Sequence, residues 1–271
     1  YRNTNWFDEL FSNAIMHNHS VSVSGGTDKS QYYGSLSAMF DPGWTLDSRV
    51  QRYTANLNFT HNISKKLSVN LIGNASYRKQ KAPGTLSSDT DPVTGTVKRD
   101  FDINPYSYAL NTSRALDAHT FYTRSYAPFN IFSELNNNYI DLAVHDFRIS
   151  GSIDYKPTSK LKFTFLAAVK SAATSQEHNI LDNSNQALAY REMGTSTIRK
   201  TNPFLYKDPD HIYDLPITVL PYGGIYERTD NSSFGWDTRL SVSYNDVFAE
   251  KHIVNVYGGM ETNYTNRHST W

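Results

Sequence analysis

Cysteine is missing from all 271 positions, which removes disulfides, thiolate metal sites and cysteine nucleophiles together. Neither sign of charge is in excess: 26 Lys and Arg balance 26 Asp and Glu, so the basic footprint of a nucleic-acid-binding domain is absent. Long apolar runs are lacking too. The longest, Phe165-Leu166-Ala167-Ala168-Val169, is far shorter than the roughly 20 residues of a membrane-spanning helix. The chain opens on the polar run Tyr1-Arg2-Asn3-Thr4-Asn5, unlike the apolar centre of a signal peptide, so an exported protein would carry it as a mature or internal piece. What is plentiful is aromatic: 14% of the residues, 19 of them Tyr, at a mean hydropathy of −0.57. That is too aromatic for a disordered segment and too polar for one large dry core.

The dominant pattern has a period of two. From Tyr53 to Thr60 the odd positions Tyr53, Ala55, Leu57 and Phe59 alternate with Thr54, Asn56, Asn58 and Thr60, as in a strand with one apolar and one polar face. The same alternation sets Phe147, Ile149, Ile153 and Tyr155 against Asp146, Arg148, Ser150 and Asp154, and Trp236, Leu240, Val242 and Tyr244 against Asp237, Arg239 and Ser241. Weaker versions run through 17–24, 31–40, 67–78, 161–169 and 252–264. About eight strands of about 9–13 residues result, longer than the usual 5–6 and long enough for a tilted strand to cross a bilayer. A short helical period is confined to the region of Trp6–Phe11.

The connections alternate in length. Gly25–Lys29, Asn62–Lys66, Lys156–Lys160 and Asn245–Lys251 are tight polar turns. Between them lie an intermediate loop, Asp41–Gln51, and two long ones at about 80–142 and 172–235, lengths uncommon inside compact domains. Short turns at one end and long loops at the other define an all-β, transmembrane antiparallel β-barrel with periplasmic turns and extracellular loops. A soluble sandwich or lipocalin-like barrel alternates in the same way, and period alone does not say which face points inward. With the tight turns in the periplasm, both ends of the chain lie outside the cell, which fits an internal section of a larger barrel. Residues 1–14 are then an extracellular segment leading into the barrel, and 15–271 carry the strands.

Specific wording sharpens this. Asn3-Thr4-Asn5-Trp6-Phe7-Asp8-Glu9-Leu10-Phe11, followed by His17-Asn18-His19-Ser20-Val21-Ser22-Val23-Ser24-Gly25-Gly26, resembles the SusC/RagA family of TonB-linked outer-membrane transporters. So do Tyr32-Tyr33-Gly34-Ser35-Leu36 and Arg52-Tyr53-Thr54-Ala55-Asn56-Leu57-Asn58, and more diffusely Asn104–Leu110 and Glu134–Asn138. The match is close over residues 3–78. The resemblance implies a 22-stranded barrel with an N-terminal plug, energised by TonB and capped by a SusD-like surface lipoprotein, with this chain supplying strands two to nine or so. Asp41-Pro42-Gly43-Trp44 departs from the family's usual acidic-Gly-aliphatic loop, and the plug and TonB box lie outside this chain.

Candidate chemistry is sparse. His17 and His19 share a strand face but lack a carboxylate pair beside them, so a rim position outweighs metal binding. Asp89-Thr90-Asp91 and Asp208-Pro209-Asp210-His211 offer oxygens without calcium-loop spacing. The second group also suggests a barrel-mouth hydrolase, but no nucleophile motif accompanies it. No cofactor, metal or catalytic residue is expected. The N-x-S/T triplets are discounted in a chain this rich in Asn, Ser and Thr.

Aromatic residues on the apolar strand faces are explained by an interfacial girdle. Those in the loops, among them Trp44, Tyr106, Tyr108, Tyr126, Tyr206, Tyr213 and Tyr222, suit contact with a substrate, contact with a lid protein, or packing within the loops alike. Arg52, Asn56, Asn70, Arg148, Asp154, Asp237 and Arg239 are expected to face the lumen or the plug. The expected role is active import of oligosaccharides or oligopeptides across the bacterial outer membrane, in contact with its lipid. A passive porin or adhesin barrel, or a soluble ligand-binding barrel, would share the patterning.

Overall fold

The computed structural model describes residues 2–84, 89–90, 97–98, 103–192, 196–249 and 251–270. Eight long strands dominate it: β1 (His17–Gly26), β2 (Ser30–Asp41), β3 (Arg49–Asn62), β4 (Leu67–Pro83), β5 (Asn138–Tyr155), β6 (Leu161–Ile180), β7 (Ile225–Phe248) and β8 (His252–Thr270). Each pairs antiparallel with the next in sequence, giving one eight-stranded up-and-down sheet. The edge strands β1 and β8 do not pair with each other, so the sheet is open rather than a closed eight-stranded barrel.

The tight turns close on their own hydroxyls. Thr27 Oγ1 accepts from the Lys29 and Ser30 amides at 3.3 and 3.2 Å, and Ser64 Oγ accepts from the Lys66 and Leu67 amides at 3.1 Å each. Short side chains that bond the backbone two or three residues on are what let polar segments of this length reverse the chain.

Register turns the alternation into two continuous faces. Val23, Gly34, Leu57, Gly73, Ile149, Val169, Trp236 and Tyr264 lie opposite one another across all eight strands. One residue along, Ser22, Ser35, Asn56, Asn74, Arg148 and Lys170 form the matching polar rung. A slip of one residue in any pairing would mix the two. Among the described residues no second layer covers the apolar face. Val21, Leu36, Leu57, Phe147, Phe165 and Leu240 on it are 44–66% exposed, a surface a soluble sheet would bury.

Strands run longer than the alternation indicates, from 10 residues in β1 to 24 in β7. The expected loop at about 80–142 therefore shrinks to 84–137, and that at about 172–235 to 181–224. Near the loop end both strand faces change character. On β5, Ile140 and Leu142 sit on the otherwise polar face, beneath the loops. On β6, Thr174–Asn179 is polar on both faces.

The N-terminal segment and those loops fold into a cap with, among the described residues, five short helices: α1 (Trp6–Leu10), α2 (Pro105–Asn111), α3 (Ile131–Asn137), α4 (Asn185–Glu192) and α5 (Ser196–Thr201). Asn104 caps α2 by accepting from the Ser107 amide at 3.0 Å, with Pro105 at the first helical position. Asn130 caps α3 by accepting from the Phe132 and Ser133 amides. Between Tyr122–Arg124 and Ala127–Phe129 a two-residue turn places Ser125 and Tyr126 at φ 49° and 69°, the paired left-handed conformation that matches strand twist. The principal core lies here: Trp6, Leu10, Ile103, Tyr108, Phe129, Ile131 and Leu135.

Candidate functional site: an aromatic cleft beneath the cap

The cap leans over the polar face. Asn138, His178 and Ile180, all on that face at the loop end, are 1%, 5% and 1% exposed. Asn138 Oδ1 and His178 Nε2 lie 2.7 Å apart, and His178 Nδ1 is 3.8 Å from Glu227 Oε2. Gly84 is required there, because a Cβ would fall 1.8 Å from Asn138 Oδ1.

Two aromatics singled out by sequence meet in this region. Trp44, from the β2–β3 loop, and Tyr106, on α2, have ring centroids 6.4 Å apart. Phe11 lies 5.2 Å from Trp44, and Phe7 lies 5.9 Å from Tyr106. The β2–β3 loop is held there by backbone bonds from Ser12 N to Trp44 O and from Leu46 N to Leu10 O, at 2.9 and 3.1 Å. Phe11, Trp44 and Tyr106 flank a cleft of about 350 Å³ whose strand side presents Gln80, Ile140, Leu142 and Gln176, and whose α2 side presents Asn104; Phe7 backs it from behind Phe11 and Tyr106. Trp44 is 61% and Tyr106 49% exposed, so flat apolar surface stands beside amide groups. Sequence reasoning missed Phe7 and Phe11. Phe7 and Phe11 are four residues apart in a helical segment, as are the buried Trp6 and Leu10, and that spacing could have marked them as an outer stripe beside a buried one.

The remaining loop aromatics do not join the cleft. Tyr108 is only 7% exposed, with Trp6 edge-on at 5.1 Å and Phe129 at 5.9 Å, so it is a core residue of the cap rather than a contact surface. Burial and the neighbouring Tyr122 hydroxyl raise its pKa well above that of a free phenol. Tyr126, Tyr206, Tyr213 and Tyr222 are 47%, 50%, 94% and 81% exposed at separate places on the cap.

Arg52, Asn56, Asn70, Arg148, Asp154, Asp237 and Arg239 all share the polar face. Cross-strand bonds knit it together: Asn74 Nδ2 donates to Asn56 Oδ1 at 2.9 Å, Asn56 Nδ2 to Ser35 Oγ at 3.1 Å, and Arg239 to Glu261 at 2.7 Å. Lys162 pairs with Asp154 at 3.1 Å and Lys170 with Asp237 at 3.6 Å. These are exposed pairs, each contributing under about 1 kcal/mol; their weight is in orienting a hydrophilic wall.

His17 Nδ1 and His19 Nε2 approach to 3.1 Å on the apolar face, and no group of three metal-capable side chains occurs among the described residues. Asp208 Oδ2 and His211 Nδ1 do meet, at 2.8 Å. The imidazole, helped by the Asp210 amide, holds the Asp208 carboxyl below its usual range. Both groups are exposed. The side chains of Asp89-Thr90-Asp91 lie outside the described residues.

The two long loops are fastened to one another by a buried polar joint. Asn185, at the start of α4, donates through Nδ2 to the carbonyls of Arg124, Ala127 and Pro128 at 2.7, 3.0 and 3.1 Å. Its backbone amide donates to Glu134 Oε1 on α3. Glu134 is 2% exposed, and burial pushes its pKa up to about 7, against the opposing pull of the Asn185 amide and Arg124. A carboxyl raised in the folded state stabilises fully below its unfolded pKa, and that contribution is lost as pH climbs through about 7. Protection of cap amides against hydrogen exchange, corrected for intrinsic rate, is therefore expected to fall between pH 5.5 and 8.5 by at most about 2 kcal/mol. Glu134→Gln should flatten this dependence; an unchanged slope in that variant would assign it to another group.

The geometry defines a class: a section of a membrane β-barrel with one hydrophilic, loop-capped face and one bare apolar face. No family model matches the chain. Among curated proteins it is 25% identical over 158 residues to TonB-dependent receptor P3 of Formosa agariphila, covering 49% of this chain and 16% of that protein. With TonB-dependent receptor P26 of the same organism it shares 32% identity over 81 residues, 30% of this chain and 8% of that one. Among solved structures it superposes on the RagAB peptide transporter with a TM-score of 0.61 at 16% identity, covering 98% of this chain and 27% of the other. The "open-open" state of the RagAB peptide importer gives 0.58 at 16% identity, covering 97% and 26%. The chain thus spans well under a third of each relative. Together with the motifs of residues 3–78, these likenesses agree with the SusC/RagA resemblance: the chain is similar to a barrel section of a TonB-dependent transporter.

Proposed function

We propose that the chain is part of a TonB-dependent importer of the bacterial outer membrane, which binds oligosaccharides or oligopeptides beneath a SusD-like lipoprotein lid and passes them inward. The observation that carries this is the cleft of Phe11, Trp44 and Tyr106 set over the polar face of β4–β6. Ring faces beside Gln80, Gln176 and Asn104 suit a ligand that alternates apolar patches with hydrogen-bonding groups, as sugar rings and peptides both do. The hydrophilic wall below, carrying Asn56, Asn70, Arg148, Asp154, Asp237 and Arg239, is the lumen side in this reading. The apolar face meets lipid, and Tyr206, Tyr213 and Tyr222 stand at the outer surface, where a lid would dock.

The test is uptake of fluorescent oligosaccharide and oligopeptide libraries by cells carrying the intact protein. Trp44→Ala with Tyr106→Ala is expected to weaken uptake of the true substrate about tenfold or more, by removing two ring contacts. A protonophore should abolish uptake, because passage through a plugged barrel needs energy. Undiminished uptake under the protonophore would instead mark a passive porin.

A further inference from the structure

The apolar face is not evenly filled. Val23, Leu36, Leu57 and Ile149 stand around a floor of Ala55, Ala75, Gly34 and Gly73, leaving two adjoining hollows of about 790 and 430 Å³ across β1–β6. Both are within the size of small-molecule sites, about 300–1,000 Å³. The glycines are not there for backbone reasons. Neither has a positive φ, and a Cβ would meet nothing nearer than 3.8 Å at Gly34 or 3.7 Å at Gly73. A larger residue would fit at both, and it would fill the hollow.

What lies above the hollow on the same face is ordered by polarity. One rung towards the cap stand His19, Tyr53, Tyr77 and His145, with Tyr53 and Tyr77 stacked at 6.4 Å and Tyr77 and His145 at 4.7 Å. The next rung pairs Gln51 with Lys79, and the one after pairs Arg49 with Lys81. Arg49 and Lys79 are exposed and form no ion pair among the described residues. Lys81 lies 4.3 Å over the Tyr139 ring, and Asp141 is its neighbour on β5. Small apolar floor, aromatic and imidazole rung, then cations: along β4 this runs from Gly73 through Ala75 and Tyr77 to Lys79, about 20 Å of strand.

We propose that this groove seats one phosphorylated, acylated glycolipid of the outer leaflet, of the lipid A class. An acyl chain lies on Gly34, Ala55, Gly73 and Ala75, the sugar borders Tyr53, Tyr77 and His145, and Arg49 and Lys79 hold the phosphate. The position decides the leaflet, because the larger hollow extends as far as the His19, Tyr53, Tyr77 and His145 rung on the cap side. Charge decides the headgroup, since a zwitterionic lipid leaves two cations unmatched. The inference rests on the reading that the apolar face meets lipid.

The experiment is native mass spectrometry of the intact protein, delipidated in mild detergent and incubated with diphosphoryl lipid A or with phosphatidylethanolamine. The wild type is expected to retain one lipid A and to shed phosphatidylethanolamine. Arg49→Gln with Lys79→Gln should lower lipid A retention about thirtyfold, the value of two surface cations. Gly73→Leu with Ala75→Leu, which keeps the face apolar, should lower it by at least as much. Heat-modifiable migration on gels verifies that each variant is folded. Equal retention in either folded double variant, or no preference for lipid A in the wild type, overturns the groove while leaving the importer reading intact. If fractionation places the wild-type protein outside the membrane, the importer reading itself fails.

Discussion

Ile149→Arg is expected to keep the protein from assembling in the outer membrane. Ile149 sits at the middle of the apolar face, opposite Gly73 on β4 and Val169 on β6. An arginine on a lipid-facing position near the bilayer midplane costs about 2–4 kcal/mol, a large share of the net stability of a folded chain. The matching control is Asn56→Arg, one residue out of phase on β3 and on the hydrophilic wall with Asn74 and Ser35. It loses two exposed hydrogen bonds and gains a solvated charge, a change within about 1 kcal/mol. Heat-modifiable migration of the membrane fraction reads both. Were Asn56→Arg the variant that failed, the faces would be reversed and the importer reading would go with them.

Asn185→Ala should detach the two halves of the cap. One side-chain amide reaches three carbonyls of the Arg124–Pro128 hairpin, and its removal takes a donor from the buried Ala127 carbonyl. An orphaned buried acceptor costs about 1–3 kcal/mol, so the joint should loosen by about that much. Hydrogen exchange is expected to rise in α3, α4 and the 122–129 hairpin, while amides in the middle of β3–β6 keep their protection. Tyr213→Ala, at a side chain 94% exposed, should change neither. A rise spread evenly over cap and sheet would show that the joint holds the whole fold rather than the cap.

The sheet was legible because its two faces meet different solvents. Leu57 beside Asn56, Ile149 beside Arg148 and Leu240 beside Arg239 each state the side on which they lie, and the register carries that statement from strand to strand. Alternation stopped being informative where the solvent did. From Asn138 to Val144 the polar face of β5 lies beneath the cap, so Ile140 and Leu142 face the same way as Arg148 and the period dissolves. At Thr174–Asn179 the strand is polar on both sides. In both places the strand continued unseen.

Of the loop aromatics, Trp44 and Tyr106 could be named but not paired, since 62 residues of chain separate them and only the folded cap closes that distance. Tyr108, two residues from Tyr106 on a helix, points the opposite way into the core. A list of tyrosines in a loop cannot make that distinction without knowing where the helix begins.

By itself the sequence determined strand number, the identity of each face and the positions of the tight turns, because these follow from side-chain period and local hydroxyl-to-amide bonding. The tertiary structure alone decided which loop residues are core and which are surface, that Asn185 and Glu134 join two distant loops, and that small residues on three neighbouring strands line up into one groove. Each of these depends on residues far apart in the chain arriving at the same depth, and no local pattern encodes that.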